Sequence, residues 1–512
     1  LNNFFLIICI FILIKFYFHE KKYILECVKI IFIIGSVSFL IMVLTYSYNP
    51  DAGLYHLPYI SILNDYKILI GLSNIHFRFG HTSIIQYTSA IFNNSLFLTK
   101  GITIPISTVL CSVFVYFFGQ TLKNKNNYFF LFFFFLVTIF IILKNNRYND
   151  IGNDIIGHLF YFVVLSIFLR QIYYNKKEYI NFFYLSLFCI FAFANKVFLV
   201  VSFLFPFFFI IYFKKYKYLI NLKNLILILF LLSIFIKNIL ISSCVIYPVK
   251  NLCFENFSWS ANKENMHGSY ERRGLESEVA AKSWADLKDK SISREYYNKN
   301  FNWLSTWLDK HFKYLTIKLL PLIFIIILIF ILLFKIERID FFDNKKKINN
   351  LINKIFIISF SVNLLGLILW FLKFPLYRYG YSFIVIAIIL ITSFSIHIFF
   401  SNKKILKILR ISKIIILVSL VFISLINIKR IFKEFNIEYN DYPWPKIYAY
   451  DKNNFKQDNV EILVTENFSI YNPKYRLCMY SKGPCTHFND VNNQIEVIKK
   501  FNYNIIIPKN FN

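Results

Sequence analysis

The sequence predicts an all-α polytopic membrane protein of about 12 transmembrane helices, with a small α/β domain at its C-terminal end. Of its 512 residues, 57% are apolar and 17% are charged, whereas about 25% are charged in an ordinary soluble domain. The apolar residues form blocks of roughly 17 to 25, which suffices to cross a hydrocarbon layer about 30 Å thick. These observations exclude a soluble enzyme. The formal charge of +29 is assigned to helix orientation rather than to nucleic-acid binding.

The predicted spans are mostly bounded by Lys, Arg or Asn, as expected at membrane surfaces. The first span has an alternative, a signal peptide, although it lacks a basic n-region and a small-residue cleavage site. In chain order the predicted spans are 3–18, 24–47, 101–121, 128–144, 156–174, 180–194, 197–213, 219–240, 314–335, 351–373, 380–400 and 409–426.

The basic loops predict the orientation of the helices, because Lys and Arg accumulate on the cytoplasmic side. All basic loops fall on one side only if the moderately apolar segment 82–98 lies along the interface instead of crossing. The opposite, outer face then carries the loops 48–100, 145–155 and 241–313 and the tail 427–512. The predicted division is a transmembrane domain, 1–426, and an extracytoplasmic domain, 427–512, in which apolar and polar residues alternate between Pro and Gly turns.

Two close cysteine pairs lie on the predicted outer face. Cys244 and Cys253 share the large outer loop, and Cys478 and Cys485 share the tail. An oxidising compartment favours two local disulfides, and the alternative is four reduced thiols.

The first candidate site opens the first outer loop, at Asp51. If 52–66 is a short helix, Tyr55 lies one turn away on the same face, beside His56. A partly desolvated carboxylate can act as a general base, although Asp also caps helices well. Further along the loop, His76 and Arg78 are candidate substrate contacts. The Arg78 guanidinium could bind a phosphate through paired N–H donors or simply extend to lipid headgroups.

The second candidate site is an acidic loop with Arg147, Asp150 and Asp154, followed by His158. Asp150, Asp154 and His158 are spaced four residues apart, so a helix would place them in one polar stripe. With a carboxylate from the first loop, this stripe could bind a divalent cation such as Mg²⁺ or Mn²⁺. The alternative is helix capping and loop solvation.

The third candidate site is the outer turn that contains Arg378 and Tyr379. The arginine lies where a lipid phosphate would lie, flanked by aromatic residues typical of membrane interfaces. Lys196, between two short spans, would reach the same surface, and either cation could instead anchor a helix end. The sequence contains no Gly-rich phosphate loop, CxxC pair or HExxH motif, so we expect a lipid-linked rather than a soluble nucleotide donor.

Together these features resemble the GT-C superfamily of polytopic glycosyltransferases, such as the protein mannosyltransferases and the aminoarabinose transferases. The segments that carry a closer resemblance, to a group of bacterial GT-C-like membrane proteins, are DAGLYHLPYISILNDYKILIGLSNIHFRFGHTS from residue 51, Tyr247-Pro248 through Cys253 to Trp259, and Cys478 to Thr486. Asp51 has no second acidic residue directly beside it, in contrast to several GT-C branches.

The resemblance implies a bacterial inner-membrane enzyme that uses a polyprenyl-phosphate-linked sugar and a glycan, lipid or protein acceptor. Asp51 would be the catalytic base, Asp150 and Asp154 would position the acceptor or a metal ion, and Arg378 would contact the donor phosphate. Two other functions remain open. A polysaccharide polymerase or ligase would depend on His267, Arg272 and Arg273, and a lipid-linked oligosaccharide flippase would need a polar path through the spans.

Overall fold

The computed structural model describes most of the chain between residues 51 and 509, and the predicted spans 3–18 and 24–47 lie outside it apart from residues 32 and 35. The described residues are 32, 35, 51–94, 96, 98–124, 127–144, 151–261, 268–283, 291–336, 350–400, 404–434, 459–465, 468–473, 478–480, 483–488 and 491–509.

Helices dominate these residues. In chain order they are α1 Leu57–Asp65, α2 Ile84–Phe92, α3 Ile104–Lys123, α4 Tyr128–Leu143, α5 Asp154–Tyr173, α6 Tyr179–Asn195, α7 Leu204–Phe213, α8 Leu222–Ser242, α9 Tyr270–Ser283, α10 Arg294–Asn298, α11 Leu304–Trp307, α12 Lys313–Ile336, α13 Asn350–Lys373, α14 Tyr381–Phe399, α15 Ile405–Glu434 and α16 Val491–Gln494. The π-helical turn Ala52–His56 leads into α1, and the 3-10 helix Val197–Phe203 leads into α7.

Seven helical segments in the described part of the chain are long and apolar enough to cross a membrane. They are α3, α5, α8, the combined stretch Leu304–Ile336, α13, α14 and the first 22 residues of α15. The apolar stretches Tyr128–Leu143, Tyr179–Asn195 and Val197–Phe213 are shorter. The polytopic helical architecture therefore agrees with the prediction. Seven long spans lie in the described part of the chain, and the total of about 12 stays a prediction.

Helix α4 lies at the centre of the bundle. Its sequence, YFFLFFFFLVTIFIIL, is apolar on every face, and residues 128–142 are all buried. A helix that is apolar all round is expected to be enclosed by other helices. Helices α3, α12, α14 and α15 pack around it, so α4 provides a rigid centre for the bundle.

Helix α2 falls within the segment predicted to lie along the interface. It has nine residues and begins with a capping box formed by Ser83 and Gln86. Nine residues span about 14 Å, about half of the hydrocarbon layer. Helix α2 by itself is therefore too short to cross the hydrocarbon layer, and the placement of 82–98 along the interface stays a prediction. The hydroxyl groups of Tyr87 in α2 and Tyr59 in α1 lie 2.7 Å apart and join the two helices.

In the described part of the tail, two antiparallel strand pairs and the short helix α16 are formed. Strand β1, Asn459–Thr465, pairs with β2, Phe468–Pro473. Strand β3, Ile495–Lys500, pairs with β4, Tyr503–Pro508. The alternating segments NVEILVTE and YNIIIPKN indicated one strand of each pair, β1 and β4. Helix α15 continues to Glu434, beyond the predicted boundary at 426.

The tail and the segment between residues 51 and 98, predicted as part of the first outer loop, share one core. The Ile506 amide donates to the Ile70 carbonyl at 2.8 Å, and the Ile70 amide donates to Asn504 at 3.1 Å. Side chains from both segments form the buried cluster Tyr59, Ile62, Leu69, Leu72, Ile75, Phe79, Ile241, Phe468, Ile470, Val491, Ile495, Val497 and Ile506. The predicted separation into a transmembrane domain and a tail domain thus misses this interface.

Both candidate cysteine pairs are bonded in the structure. Cys244 is joined to Cys253 directly after α8, and Cys478 is joined to Cys485 in the tail. The first disulfide closes a turn beneath Tyr247 and Tyr270. The second closes a loop beside Tyr471.

Candidate functional site

Four charged residues from distant parts of the chain meet at one end of the helix bundle. Asp51 immediately precedes the π-helical turn Ala52–His56. Asp154 is the first residue of α5, and Lys196 directly follows the last residue of α6. Arg378 lies in the turn between α13 and α14. Because helix ends carry these residues, the packing of the apolar helices fixes their positions. We call Asp51, Asp154, Lys196 and Arg378 the ion-pair cluster.

Arg378 is shared between the two carboxylates of the ion-pair cluster. Its Nη2 atom donates to Oδ2 of Asp51 at 2.7 Å, and its Nε atom lies 3.2 Å from Oδ2 of Asp154. Lys196 pairs with the other oxygen of Asp154. The four side chains are 15 to 23% exposed. The cluster is therefore largely desolvated but still open to a ligand.

The ion pairs control the charge state of the cluster. Burial alone would raise the pKa of Asp51, but the Arg378 guanidinium, helped by Arg78, holds that pKa below its ordinary value. Burial alone would lower the pKa of Arg378, and the carboxylates of Asp154 and Asp51 raise it instead. Each group therefore stabilises the charged form of its partner, and Asp51 is a carboxylate at neutral pH.

Aromatic rings and a third cation surround the ion-pair cluster. The ammonium of Lys196 lies 4.4 Å from the ring centroid of Tyr379, within the range of a cation–π interaction. The Arg78 guanidinium lies 5.1 Å from the ring of Tyr55. Arg78, Lys196 and Arg378 thus outnumber the two carboxylates. Such an arrangement favours an anionic ligand, and arginine suits phosphate well because of its paired donors.

His56 lies beside Asp51 but is buried, with 4% of its surface exposed. Its Nδ1 atom is 3.0 Å from Nε2 of Gln86 in α2. Burial lowers the pKa of His56 to about 4, against the opposing effect of the Asp51 carboxylate. The imidazole is therefore neutral at pH 7, and it links the Asp51 segment to α2 rather than adding another positive charge.

His158 contacts the backbone of Arg378. Its Nδ1 atom is hydrogen-bonded to the Ser382 hydroxyl, and its Nε2 atom lies 2.9 Å from the Arg378 carbonyl. The ring is buried. The predicted polar stripe made His158 a possible metal ligand beside Asp154. In the structure, both ring nitrogens instead contact Ser382 and the Arg378 carbonyl. His158 fixes the backbone of the turn that carries Arg378.

The remaining candidates divide into two groups. Arg147 and Asp150 lie outside the described residues. His76 is fully buried, and its Nδ1 atom accepts a hydrogen bond from the Arg78 amide. Its ring packs against Phe488 of the tail, with ring centroids 5.1 Å apart. The structure therefore places His76 between loop and tail, and not among the charged groups that a substrate would meet.

The described residues contain no group of three or more His, Cys, Asp or Glu side chains that could hold a metal ion. Both carboxylates of the ion-pair cluster are occupied by cationic side chains, Asp51 by Arg378 and Asp154 by Lys196 and Arg378. A Mg²⁺ or Mn²⁺ ion at this point would have to displace them. The expectation of a divalent cation thus gains no support from the donor set.

The arginines expected of a polymerase or ligase have structural contacts. Arg273 is 1% exposed, and its guanidinium donates to the Gly268 carbonyl and to Oδ1 of Asn74 in the first loop. Arg272 pairs with Glu276 one turn along α9. His267 lies outside the described residues. Arg273 therefore holds the two outer loops together and is closed to a substrate.

The tail reaches the segment that carries Asp51, a contact that the sequence analysis missed. The Met479 amide donates to the Gly53 carbonyl at 2.8 Å. The Tyr480 hydroxyl accepts hydrogen bonds from the side-chain amides of Asn64 in α1 and Asn93 after α2. Backbone pairing leaves no pattern in the sequence, and only the cysteines on either side marked this loop as unusual.

The comparisons with known proteins identify a family without an assigned activity. The DUF8201 family model, described as a domain of unknown function, matches residues 1–385 and thus includes every residue of the ion-pair cluster. No curated protein and no solved structure matches the chain.

Proposed function

Because the chain belongs to the DUF8201 family, a domain of unknown function, we propose its activity from the geometry of the ion-pair cluster. The proposed activity is inverting transfer of a sugar from a polyprenyl-phosphate donor to an acceptor hydroxyl. It would take place at the outer face of a bacterial inner membrane. The carrying observation is the contact between Asp51 and Arg378, which puts a carboxylate base beside a phosphate-binding guanidinium.

The depth of the cluster supports a lipid-linked donor. Asp154 begins one candidate span, and Arg378 lies between the ends of two others, Asn350–Lys373 and Tyr381–Phe399. Side chains at the ends of spans lie at the level of lipid headgroups, and that is where the phosphate of a polyprenyl chain resides. A soluble donor would need no site at this depth.

The proposed reaction uses the charged groups in a defined order. The acceptor oxygen forms a bond to the anomeric carbon, and its proton moves to a carboxylate oxygen of Asp51. The bond between the anomeric carbon and the phosphate oxygen breaks, and its electron pair stays on the phosphate. Arg378, with Lys196 and Arg78 nearby, stabilises the charge that develops on the leaving phosphate. Asp154 holds Arg378 and Lys196 in place.

The other two functions receive less support from the described residues. The polymerase or ligase reading relies on arginines in the large outer loop, yet Arg273 is enclosed and Arg272 is paired on the surface. A flippase needs a hydrated path through the helices. The helix at the centre of the bundle, α4, is instead a packed row of Phe, Leu and Ile.

The test is the transfer activity of an Asp51→Asn variant. We expect membranes containing the variant to lose transfer by about a hundredfold or more, the usual contribution of a general base. Asn keeps the size of Asp but cannot accept the proton. The substrate is a radiolabelled polyprenyl-phosphate sugar pool extracted from cells that lack the gene, in which the true donor is expected to accumulate.

The matched control is Asp65→Asn. Asp65 lies at the end of α1 in the same loop, is exposed, and is outside the ion-pair cluster. This variant should transfer sugar at the wild-type rate. Normal product from a correctly inserted Asp51→Asn protein would remove the basis of the proposed function.

A further inference from the structure

The Asp51 carboxylate is held in a state that suppresses its basicity. Its Oδ2 atom accepts a charge-assisted hydrogen bond of 2.7 Å from Arg378. A carboxylate paired in this way keeps its negative charge but binds a proton less readily. A general base should bind a proton readily in the transition state. The pairing seen in the structure therefore suits a resting site better than a reacting one.

Arg378 is placed so that one edge can change partner while the other stays fixed. The Nε edge faces Asp154, itself paired with Lys196. The backbone of Arg378 is held through its carbonyl by His158. The Nη2 edge makes the contact with Asp51, and the two side chains of this pair are 19% and 23% exposed. The Nη2 end of the guanidinium contacts the most exposed side chain of the cluster and is thus the end that a ligand can reach.

An incoming phosphate would compete with Asp51 for this edge. Arginine binds phosphate through two parallel N–H donors. Because Nε stays beside Asp154 at 3.2 Å, the phosphate would bind the Nη2 end of Arg378, in competition with Asp51. Lys196 and Arg78 add positive charge beside it. A phosphate at this point would therefore meet a preformed set of donors.

We propose that Arg378 is exchanged between the base and the leaving group. When the donor phosphate binds, Arg378 turns from Asp51 to the phosphate, and Asp51 becomes the stronger base. During the reaction Asp51 takes the acceptor proton and becomes neutral, while the leaving phosphate gains a negative charge. Arg378 is thus paired with the Asp51 carboxylate before the donor binds, and with the negatively charged phosphate during the reaction. This inference rests on the proposed function, because it assumes that the ligand of Arg378 is a lipid phosphate.

Through this exchange, binding of the donor phosphate also activates Asp51 as a base. An acceptor that arrives without the donor meets a carboxylate that Arg378 still occupies. Water meets the same carboxylate, so the donor-free site remains inactive. The interaction of Arg378 with phosphate also strengthens as charge develops, and interactions that grow toward the transition state are the ones that accelerate a reaction.

The experiment measures the protonation of Asp51 directly. Dicyclohexylcarbodiimide modifies protonated carboxyl groups at membrane surfaces, and mass spectrometry locates and quantifies the adduct. The full-length protein in lipid nanodiscs is labelled across a pH series with and without saturating dodecyl phosphate, and binding of this probe is measured separately by calorimetry. We expect the probe to move the midpoint of Asp51 labelling upward by about one pH unit or more, since Asp51 loses a cationic partner. The exposed Asp65 should not shift.

Two variants separate the exchange from other effects. In Arg378→Gln the midpoint should already be high, and the probe should leave it nearly unchanged. In Lys196→Gln, which removes a cation that does not contact Asp51, the upward shift should persist. Should Arg378→Gln fail to insert, Arg378→Lys takes its place: a single ammonium cannot contact Asp51 and Asp154 with two separate edges, so the probe-induced shift should be smaller than in the wild type.

The outcomes distinguish the two proposals. If dodecyl phosphate binds and the Asp51 midpoint stays in place, the exchange is wrong while a phosphate site remains. An equal shift in Arg378→Gln would also overturn the exchange, because the phosphate charge alone would then account for it. If dodecyl phosphate does not bind the wild-type protein, both the exchange and the proposed lipid-phosphate donor site are refuted.

Discussion

The Nη2 atom of Arg378 lies 2.7 Å from the Oδ2 atom of Asp51, although 327 positions separate the two residues in the chain. Neither residue belongs to a motif that requires the other. Their contact comes from the packing of apolar helices whose ends they occupy, so a test of this pair also tests the whole arrangement. Four predictions beyond the experiments described above follow from it and from its surroundings.

Arg378→Lys is expected to reduce sugar transfer strongly, although the substitution keeps the positive charge. Lysine has a single ammonium group and cannot contact Asp51 and Asp154 with two separate edges. We expect kcat for sugar transfer to fall by about a hundredfold, the typical effect of removing a donor that stabilises developing charge. Arg294→Lys is the control, since Arg294 is exposed and lies 3.7 Å from Glu276. Wild-type kcat in Arg378→Lys would show that one positive charge is enough.

Asp154 and Lys196 should behave as a coupled pair. Each is mostly buried, so the loss of Asp154 removes the carboxylate that compensates Lys196, and the loss of Lys196 leaves Asp154 to Arg378, which Asp51 shares. We expect Asp154→Asn and Lys196→Met each to lower thermal stability, and the double variant to lose less than the sum. The coupling free energy should be on the order of 1 to 3 kcal/mol, as for residues in direct contact. Additive effects in the double-mutant cycle would contradict this.

His56 should make the protein sensitive to mild acid. Burial lowers its pKa from the ordinary histidine value of 6.5 to about 4. Between pH 6.5 and pH 4 the unfolded chain binds a proton at His56 and the folded chain does not. The free energy of unfolding is therefore highest above pH 6.5 and decreases as the pH falls toward 4. The loss is on the order of 3 kcal/mol. His56→Gln should flatten this part of the stability profile.

The measurement is the melting temperature of wild type and His56→Gln from pH 8 to pH 4. The difference at pH 8, where the wild-type imidazole is neutral, isolates any effect of packing against Gln86. Only the additional difference at lower pH reports on titration. Parallel profiles for the two proteins would rule out a contribution from His56.

Gly71 should be intolerant of a side chain. Its φ is +73°, a left-handed conformation that favours glycine. An added Cβ would also overlap the Ile506 carbonyl oxygen and the Cβ of Trp259. Gly71→Ala is therefore expected to loosen the tail from the first loop. The readout is faster hydrogen exchange of the Ile506 amide, which donates to Ile70. Gly119→Ala is the control because open space surrounds Gly119.

Much of the helical framework could be predicted from the sequence. Hydropathy located the ends of α3 to α8 and of α12 to α14 to within a few residues, apart from the start of α7, because each predicted segment is a nearly continuous apolar block between polar turns. It ended α15 at 426, eight residues before the helix ends at Glu434. It also separated α2 from the spans, owing to the Ser, Thr and Asn residues around it. The predicted span 197–213 begins as a 3-10 helix, Val197–Phe203, and hydropathy does not distinguish this form from an α-helix.

The sequence indicated which charged residues belong to the candidate site. It did not indicate the hydrogen bonds that hold the site together. Asp51 and Arg378 stood out because ionisable residues at the ends of spans are informative. The role of Gln86 beside His56 left no trace in the sequence, since a capping-box glutamine usually bonds only its own helix. The docking of Met479 on Gly53 uses backbone groups alone. Long-range contacts of that kind depend on the tertiary fold.

The same docking has a consequence for how the protein matures. The segment that carries Asp51 is synthesised well before the residues near position 480 that brace it. A nascent chain therefore holds the Asp51 carboxylate without this brace until the tail residues have been made. On the proposed topology, the loop between Cys478 and Cys485 must then cross the bilayer and be oxidised. On the proposed topology, a cell with a failing thiol-oxidation pathway would accumulate full-length, inserted and idle protein.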